Sequence, residues 1–199
     1  VFAQSTGSID FQDEIIVLGS ANNGVGGFQS PNTSKAKAVL GQEVIERANP
    51  GQTILDTINL VPGVTFTNND AYGSSGGQLS IRGFSSDRIS LTMDGVPLND
   101  SGSYSMYSSQ QMDPELIEQV NVNLGSTDVD SPTAAATGST VNYRTRLPKE
   151  EFGVHVSGSA GEFNFMRIFG AVDTGVFTGI GTRAFLSAST TSNDNPFNN

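Results

Sequence analysis

The sequence predicts an α+β fold, a small mixed four-stranded sheet with short helices, followed by the opening antiparallel strands of a transmembrane β-barrel. Short β-branched runs separated by turns rich in Gly, Asn and Ser predict the sheet. An apolar stripe at helical spacing between residues 53 and 61 predicts a helix that packs on it. From residue 151 onward, apolar residues alternate with small or polar ones in runs of about ten residues, as barrel strands do.

Charge and composition exclude several classes of function. Among 199 residues, 20 acids and 10 bases give a net charge of −10, which repels nucleic acid. The chain has no Cys and a single histidine, His155, so we expect no disulfide framework and no thiolate or multi-histidine metal site. No apolar run approaches the roughly 18 residues of a membrane-spanning helix, so any passage through a bilayer would use strands.

The first 36 residues divide into three predicted parts. Residues 1–12 form a polar N-terminus that opens with Val-Phe-Ala-Gln, the pattern of a signal-peptide remnant, although an arbitrary start explains it equally well. Residues 13–19 have a β-branched core between acids and a glycine, which predicts an isolated strand. Residues 20–36 are rich in Asn and Gly and predict a flexible linker. The strand therefore has no core of its own to join.

The compact part of the chain is predicted to begin near residue 37. We expect a strand at residues 38–40 and a short helix at 42–48. Ile54, Leu55, Ile58 and Val61 form the apolar stripe of a second helix, which ends at Pro62-Gly63. A further strand is expected at residues 64–67.

Two polar loops, residues 68–77 and 99–112, separate the remaining elements of this part. A one-turn helix is predicted at residues 113–117, since Asp113 precedes a proline at the first helical position. Strands are predicted at residues 78–82, 88–93, 120–125 and 138–148. The buried core should contain the apolar faces of the stripe helix and these strands, namely Ile54, Leu55, Ile58, Val61, Ile81, Ile89, Leu91, Val120, Val122 and Leu124.

The alternating runs beyond residue 151 cover residues 152–161, 163–173 and 182–190. Taken alone, each run has two explanations. A soluble antiparallel sheet with one solvated face gives the same alternation as a barrel strand.

Five motifs and the N-terminal heptad, in this order, resemble the TonB-dependent outer-membrane receptors. The heptad resembles the TonB box, and the motifs resemble those of the receptor plug domain. The heptad is Asp-Glu-Ile-Ile-Val-Leu-Gly at 13–19, and the motifs are the helix ending in Leu-Val-Pro-Gly-Val at 60–64, Leu-Ser-Ile-Arg-Gly-Phe at 79–84, Met-Asp-Gly-Val-Pro-Leu at 93–98, Pro-Glu-Leu-Ile-Glu-Gln-Val at 114–120 and Gly-Ser-Thr-Val-Asn-Tyr-Arg-Thr at 138–145.

The resemblance implies that residues 37–150 are a plug domain and residues 151–199 the first strands of an incomplete barrel. A barrel of this family has about 22 strands, more than the residues after Glu150 can form, so the rest would come from the same or another polypeptide. The implied location is the bacterial outer membrane, with lipid around the barrel and the plug facing the periplasm.

The implied function is energy-coupled import of a nutrient, with no catalytic residue and no cofactor. The substrate would be a small molecule, a metal chelate or a glycan. The implied partner is TonB, energised by the inner-membrane ExbB-ExbD complex. An extended apolar segment on a tether can add itself as a strand to the open sheet edge of a partner, although the heptad would also fit a plug strand. The TonB-binding residues are then Asp13, Glu14, Ile15, Ile16, Val17, Leu18 and Gly19.

Two further sets of residues have implied roles. Arg82, Arg144 and Arg146 lie on predicted strands, where a buried arginine needs a carboxylate, and the resemblance implies that Arg82 and one of the others contact acids on the barrel wall. Exposure on a solvated face is the alternative for Arg146. Aromatic and polar residues of the two loops are candidates to contact substrate, although each ring could instead pack inside the barrel. They are Tyr72, Tyr104, Met106, Tyr107 and Gln110.

A secreted soluble all-β adhesin or glycan-binding module is the alternative function. It explains the Tyr-, Asn- and Ser-rich loops and the acidic charge, but not the ordered motifs or the isolated N-terminal strand. Such a module would purify from the soluble fraction, whereas a receptor would require detergent.

Overall fold

The computed structural model describes residues 28–29, 36–48, 52–73, 76–107, 112–127, 133 and 136–194. The chain divides into two compact units. The first unit comprises Val1–Ala48 and Gln52–Thr145, and the second comprises Asn49–Gly51 and Arg146–Asn199.

The described residues of the first unit form short strands, two short helices and three 3₁₀ turns. Its strands are β1 (Phe28–Gln29), β2 (Lys37–Gly41), β3 (Val64–Asn68), β4 (Gly77–Ile81), β5 (Phe84–Ser85), β6 (Ile89–Met93), β7 (Val96–Pro97), β8 (Ile117–Asn123) and β9 (Ser139–Thr145). Its helices are α1 (Gln42–Glu46) and α2 (Ile54–Thr57), and the 3₁₀ turns are Ile58–Leu60, Ser86–Arg88 and Pro114–Leu116. A capping box between Thr53 and Asp56 begins α2.

The main sheet of this unit has the strand order β1-β2-β8-β9-β6-β7. β6 pairs with β9 in parallel and the other neighbours pair antiparallel, so the sheet is mixed as predicted. Four of its six strands, namely β2, β8, β9 and β6, have five or more residues, which agrees in number with the predicted four-stranded sheet. Two differences appear: the two-residue strands β1 and β7 extend the sheet edges, and β3, β4 and β5 form a separate sheet. Strands of two residues, such as β1 and β7, contain too few residues to show an alternating pattern.

One face of the main sheet forms the hydrophobic core with the stripe helix. Nine of the ten predicted core residues are buried there, while Leu124 is only partly buried. Leu124 follows the last residue of β8, so the alternation of that strand no longer determines which way it faces. The core also includes Tyr143 of β9, and burial raises the pKa of its hydroxyl well above the ordinary value.

The opposite face of the main sheet is also buried, but it is polar. Thr92 of β6 donates a hydrogen bond to Asn142 of β9 over 2.7 Å. On β8, the amide of Gln119 donates to Asn121 over 2.8 Å. All four side chains are buried, so the central strands bury an apolar and a polar face at once.

The turn between β6 and β7 fixes the end of β9. Asp94 and Gly95 have φ values of 46° and 87°, as a two-residue hairpin turn of the primed type requires. The Asp94 carboxylate accepts hydrogen bonds from the Thr145 backbone N–H over 3.1 Å and from its hydroxyl over 2.6 Å. The last residue of the first unit is therefore bound to the β6–β7 turn.

The second unit is an antiparallel sheet of β10 (Phe152–Ala160), β11 (Met166–Thr174) and β12 (Phe185–Ser192), in that order. Val154, Val172 and Leu186 lie opposite one another on an exposed apolar face. This alternation agrees with the prediction, but β11 and β12 begin three residues later than predicted. Phe163 and Asn164 have positive φ values and belong to a turn, which delays the start of β11.

Among the described residues, β10 and β12 each pair with one neighbour, so pairing with strands from outside this chain stays a prediction. No helix in the described part of the chain is both long enough and apolar enough to cross a membrane.

The core assignment predicts that truncating Leu91 destabilises the first unit far more than truncating Leu60. Leu91 is fully buried, and Leu91→Ala should lower the free energy of unfolding by about 2–5 kcal/mol. Leu60 is 49% exposed, and Leu60→Ala should cost less than about 1 kcal/mol. The measurement is a denaturant titration in which the hydrogen-exchange protection of backbone amides in β8 and β9 is followed. Equal losses in the two variants would contradict the assigned core.

Candidate functional site

Several predicted site residues lie outside the described residues. They include the whole heptad at residues 13–19, which was predicted to bind TonB. They also include Gln110 of the second polar loop. The roles of these residues stay predictions.

Arg82 does not lie on a strand, because β4 ends at Ile81. Its φ of 50° places it in the turn that follows. The exposed side chain crosses Gly125, where an added Cβ would lie 2.8 Å from Nη1, and Nη1 donates to the Leu124 carbonyl over 3.1 Å. Gly125 thus allows the guanidinium to approach the end of β8 while its surface stays accessible in this unit.

Arg144 lies on β9, as predicted, and its side chain is partly buried. Its Nε is 3.8 Å from a carboxylate oxygen of Glu118 on the neighbouring strand β8. This separation is too long for a hydrogen bond. The pair is a weak ion pair within the first unit.

Arg146 is the most tightly held of the three arginines. It lies just after β9 and is the first residue of the second unit after Thr145. Nη1 and Nη2 donate to the two carboxylate oxygens of Asp173 on β11 over 2.8 and 3.1 Å. The side chains of the pair are 10% and 4% exposed, so solvent exposure, the alternative for Arg146, is excluded.

Two further contacts hold the pair of Arg146 and Asp173. The backbone N–H of Lys149 donates to Asp173 over 3.0 Å. The Arg146 guanidinium carbon lies 4.3 Å from the centroid of the Phe185 ring on β12. The carboxylate therefore accepts three hydrogen bonds, and the guanidinium makes a cation–π contact with the third strand of the sheet.

Asn99 begins the second polar loop and connects it to the edge of β6. Its side-chain oxygen accepts hydrogen bonds from the Leu91 N–H over 2.8 Å and from the Thr133 hydroxyl over 3.2 Å. Its amide nitrogen donates to the carbonyls of Ile89 and Tyr104 over 2.9 and 3.0 Å. All four hydrogen-bonding positions of the amide are used. No sequence pattern predicts this role, because the partners are up to 34 residues away along the chain.

The loop after Asn99 folds around Asp100. The Asp100 carboxylate accepts hydrogen bonds from the backbone N–H groups of Gly102 and Ser103 and from the Ser103 hydroxyl. The bond from the Ser103 N–H is the main cause of a lowered pKa for this carboxyl. Tyr104 then takes a positive φ of 57°.

The candidate substrate-contacting side chains differ in exposure. Tyr107 is 50% exposed, while Tyr72 and Tyr104 are partly buried. Met106 is only 7% exposed and packs in the hydrophobic core of the first unit. Its neighbours in sequence are polar, so the sequence pattern did not predict that the Met106 side chain is buried. Met106 is therefore a core residue, and Tyr107 is the most accessible of the described candidates.

Solved structures of outer-membrane receptors share this fold. The pyoverdine outer membrane receptor FpvA from Pseudomonas aeruginosa PAO1 is 24% identical with a TM-score of 0.64, over 81% of this chain and 22% of that chain. The siderophore receptor PiuA from Acinetobacter baumannii is 26% identical with a TM-score of 0.58, over 83% and 22%. The alcaligin outer membrane receptor FauA from Bordetella pertussis is 24% identical with a TM-score of 0.59, over 82% and 27%.

The chain thus spans about a quarter or less of the length of these receptors. No curated protein matches it in sequence. The model of the family described as TonB-dependent Receptor Plug Domain matches residues 30–139, more than half of the chain. This match includes most of the first unit and confirms the resemblance seen in the motifs. The chain therefore belongs to the family of TonB-dependent receptor plug domains.

Proposed function

We propose that this chain is the gate and the TonB-coupling part of a receptor that imports a nutrient across the bacterial outer membrane. The match of residues 30–139 to the plug family is the observation that supports this most strongly. The amphipathic strands β10, β11 and β12 also support it, because their exposed apolar face suits contact with lipid. No described feature favours the alternative, a soluble adhesin or glycan-binding module.

The substrate we propose is a metal chelate of the siderophore class. FpvA is described as a receptor for pyoverdine, PiuA as a siderophore receptor and FauA as a receptor for alcaligin. The described residues contain no group of three or more His, Asp or Glu side chains that could hold a metal ion. Recognition of the organic part of a chelate by aromatic and polar loop residues fits these side chains better than direct metal binding.

Residues 13–19 are the segment that we propose to pair with periplasmic TonB. Backbone hydrogen bonds of an added strand supply affinity, and alternate side chains of Ile15, Ile16 and Val17 supply selectivity. The ExbB-ExbD complex would energise TonB from the inner membrane. A pull on this segment would shift or partly unfold the plug, which faces the periplasm, and so open a path for substrate.

The three arginines have distinct proposed roles in holding the plug. The Arg82 guanidinium donates to one carbonyl and is otherwise accessible, which suits a contact with acidic residues on barrel strands outside this chain. Arg144 already lies near Glu118 and would supply a weaker contact of the same kind. Arg146 would fix the chain where the plug joins the first barrel strand.

Replacing Ile16 with proline should abolish uptake and leave substrate binding intact. Proline removes a backbone donor and restricts the preceding residue, so the strand that pairs with TonB should not form. The measurement compares surface binding and accumulated substrate in cells, at equal receptor levels in the outer membrane. Val25→Pro, in the predicted linker, is the matched control and should transport normally. Normal uptake by Ile16→Pro would disprove the TonB-box assignment, and lost binding would show that the segment is structural.

Tyr107 and Met106 should respond differently to truncation. Tyr107→Ala removes an exposed ring and should weaken substrate binding by about 5-fold or more without changing plug stability. Met106→Ala removes a core side chain and should lower the free energy of unfolding by about 2–5 kcal/mol. Equilibrium binding and denaturant titration measure the two effects. Unchanged affinity in Tyr107→Ala would remove this residue from the proposed site.

Asn99→Asp should release the second loop from β6. The substitution keeps the shape of the side chain but directs a carboxylate oxygen at the carbonyls of Ile89 and Tyr104, which then lose their donor. The loss should lower the stability of the loop by about 1–3 kcal/mol or more. Faster hydrogen exchange at the Leu91 amide together with weaker substrate binding is the expected result. Gln78→Glu makes the same chemical change at an exposed position and should alter neither. Unchanged exchange at Leu91 would contradict the role of Asn99.

A further inference from the structure

We propose that Arg146, Asp173 and Phe185 form a mechanical stop, which ends the force-driven unfolding of the plug at Thr145 and protects β10 from being pulled out of the barrel. We call these three residues the stop. This inference rests on the proposed function for the origin of the pull. The stop itself is a property of the second unit and requires no TonB.

The stop lies at the boundary between the two units. Thr145 ends β9 and the first unit, and its backbone N–H and hydroxyl are bound by Asp94. Arg146 follows directly and is bound by Asp173 of the second unit. Adjacent residues are thus fixed to different units. A pull that unfolds the first unit breaks the Asp94 contacts and then acts on Arg146.

The geometry and burial of the ion pair between Arg146 and Asp173 favour resistance to such a pull. Its two parallel N–H···O bonds must break together, because the guanidinium and the carboxylate are both planar. Both side chains are almost fully buried, so water does not compete readily for them. The Lys149 N–H holds the carboxylate from a second direction, and the Phe185 ring lies against the guanidinium.

The chain after the stop is attached to the same sheet. The Glu150 carbonyl accepts a hydrogen bond from the Val176 N–H over 2.9 Å. The Glu150 carboxylate pairs with Arg183 over 3.0 Å. Residues 146–150 are therefore joined to β11, to β12 and to the turn between them before β10 begins at Phe152.

The position of Asp173 determines how force would enter the sheet. Without the stop, a pull on Phe152 would act on the first residue of β10, and the hydrogen bonds to β11 would break one pair after another. With the stop, force enters at Asp173 on β11, the middle strand, which pairs with β10 and β12. The two hydrogen-bond ladders then share the force.

Arg82 and Arg144 lack these properties among the described residues. Arg82 is exposed and donates to a single carbonyl, and Arg144 is 3.8 Å from its carboxylate partner. Contacts of this kind exchange readily with water and suit release during transport. Arg146 is buried and bidentate, which suits a contact that is kept throughout the transport cycle.

Single-molecule force spectroscopy on the complete receptor in a lipid bilayer tests the stop. The chain has no Cys, so Ser5→Cys provides a defined handle in it for pulling on the N-terminal side. In the parent, the extension should end when the chain up to Thr145 has been drawn out. In Asp173→Asn and Arg146→Gln, unfolding should continue through residues 146–160 and add on the order of 50 Å.

Two further variants separate the stop from general destabilisation. Arg183→Gln removes a more exposed ion pair of the same unit, the one with Glu150, and should leave the end point unchanged. Lys149→Pro keeps both hydrogen bonds of Arg146 but removes the third hydrogen bond to Asp173 together with the lysine charge, and it should lower the force at which the stop fails. This second variant tests the stop if the Asp173 variant does not insert into the membrane.

An identical end point and rupture force in the parent, Asp173→Asn and Lys149→Pro would overturn the proposal. An end point within the plug, before Thr145, in the parent would also overturn it. Because the instrument supplies the force, the outcome is independent of the uptake measured for Ile16→Pro. Failure of the stop and failure of TonB coupling are therefore distinguishable.

Discussion

The parallel pairing of β6 with β9 is the constraint on which the first unit depends. Its register places Leu91 opposite Val141, which buries both in the core and leaves Thr92 and Asn142 to bond on the other face. Parallel neighbours need a long crossover, and here the crossover includes the polar loop and β8. The same pairing fixes the position of the β6–β7 hairpin, after which the second polar loop begins at Asn99, and the position at which β9 ends. The positions of the loop that we propose to face substrate and of the junction to the second unit thus follow from one register.

Sequence patterns predicted the elements that are long or strongly periodic. The stripe of Ile54, Leu55 and Ile58 indicates the buried face of its helix. The alternation in β10 repeats often enough to separate its apolar face from its small and polar face, and the apolar face is exposed. Local patterns did not reveal β7 or the position of Arg82 outside β4, because these depend on one or two residues. They predicted β3 and β4 but not the separate sheet, because a local pattern does not determine which strands pair. Met106 and Asn99 were misjudged or missed for another reason. Their environments are made by segments distant in sequence, and loop composition contains no information about them.

The three arginines show how structure separates roles that motifs group together. The resemblance implied that Arg82 and one of the other two, Arg144 or Arg146, contact acids on the barrel wall. Buried bidentate pairing is strong because both partners are desolvated and hydrogen-bonded, whereas an exposed or distant pair contributes little. Of these three arginines, only Arg146 makes a contact of the first kind, with Asp173. Burial, and not the residue type, therefore distinguishes an anchor from a contact that can be released.

The order of strands in the main sheet favours partial opening of the plug under the proposed pull. β1 and β2 come first in the chain and lie at one edge of the sheet, where β2 pairs with β8. A pull from the N-terminal side reaches β1 before any other strand, and β1 is held by β2 only. Once β1 is removed, β2 is the edge strand and is held by β8 only. β8, β9 and β6 keep their mutual pairing when β2 leaves, and Asn99 stays bound to β6. Loss of β2 exposes the edge of β8, while the loop on the far side of the sheet is retained.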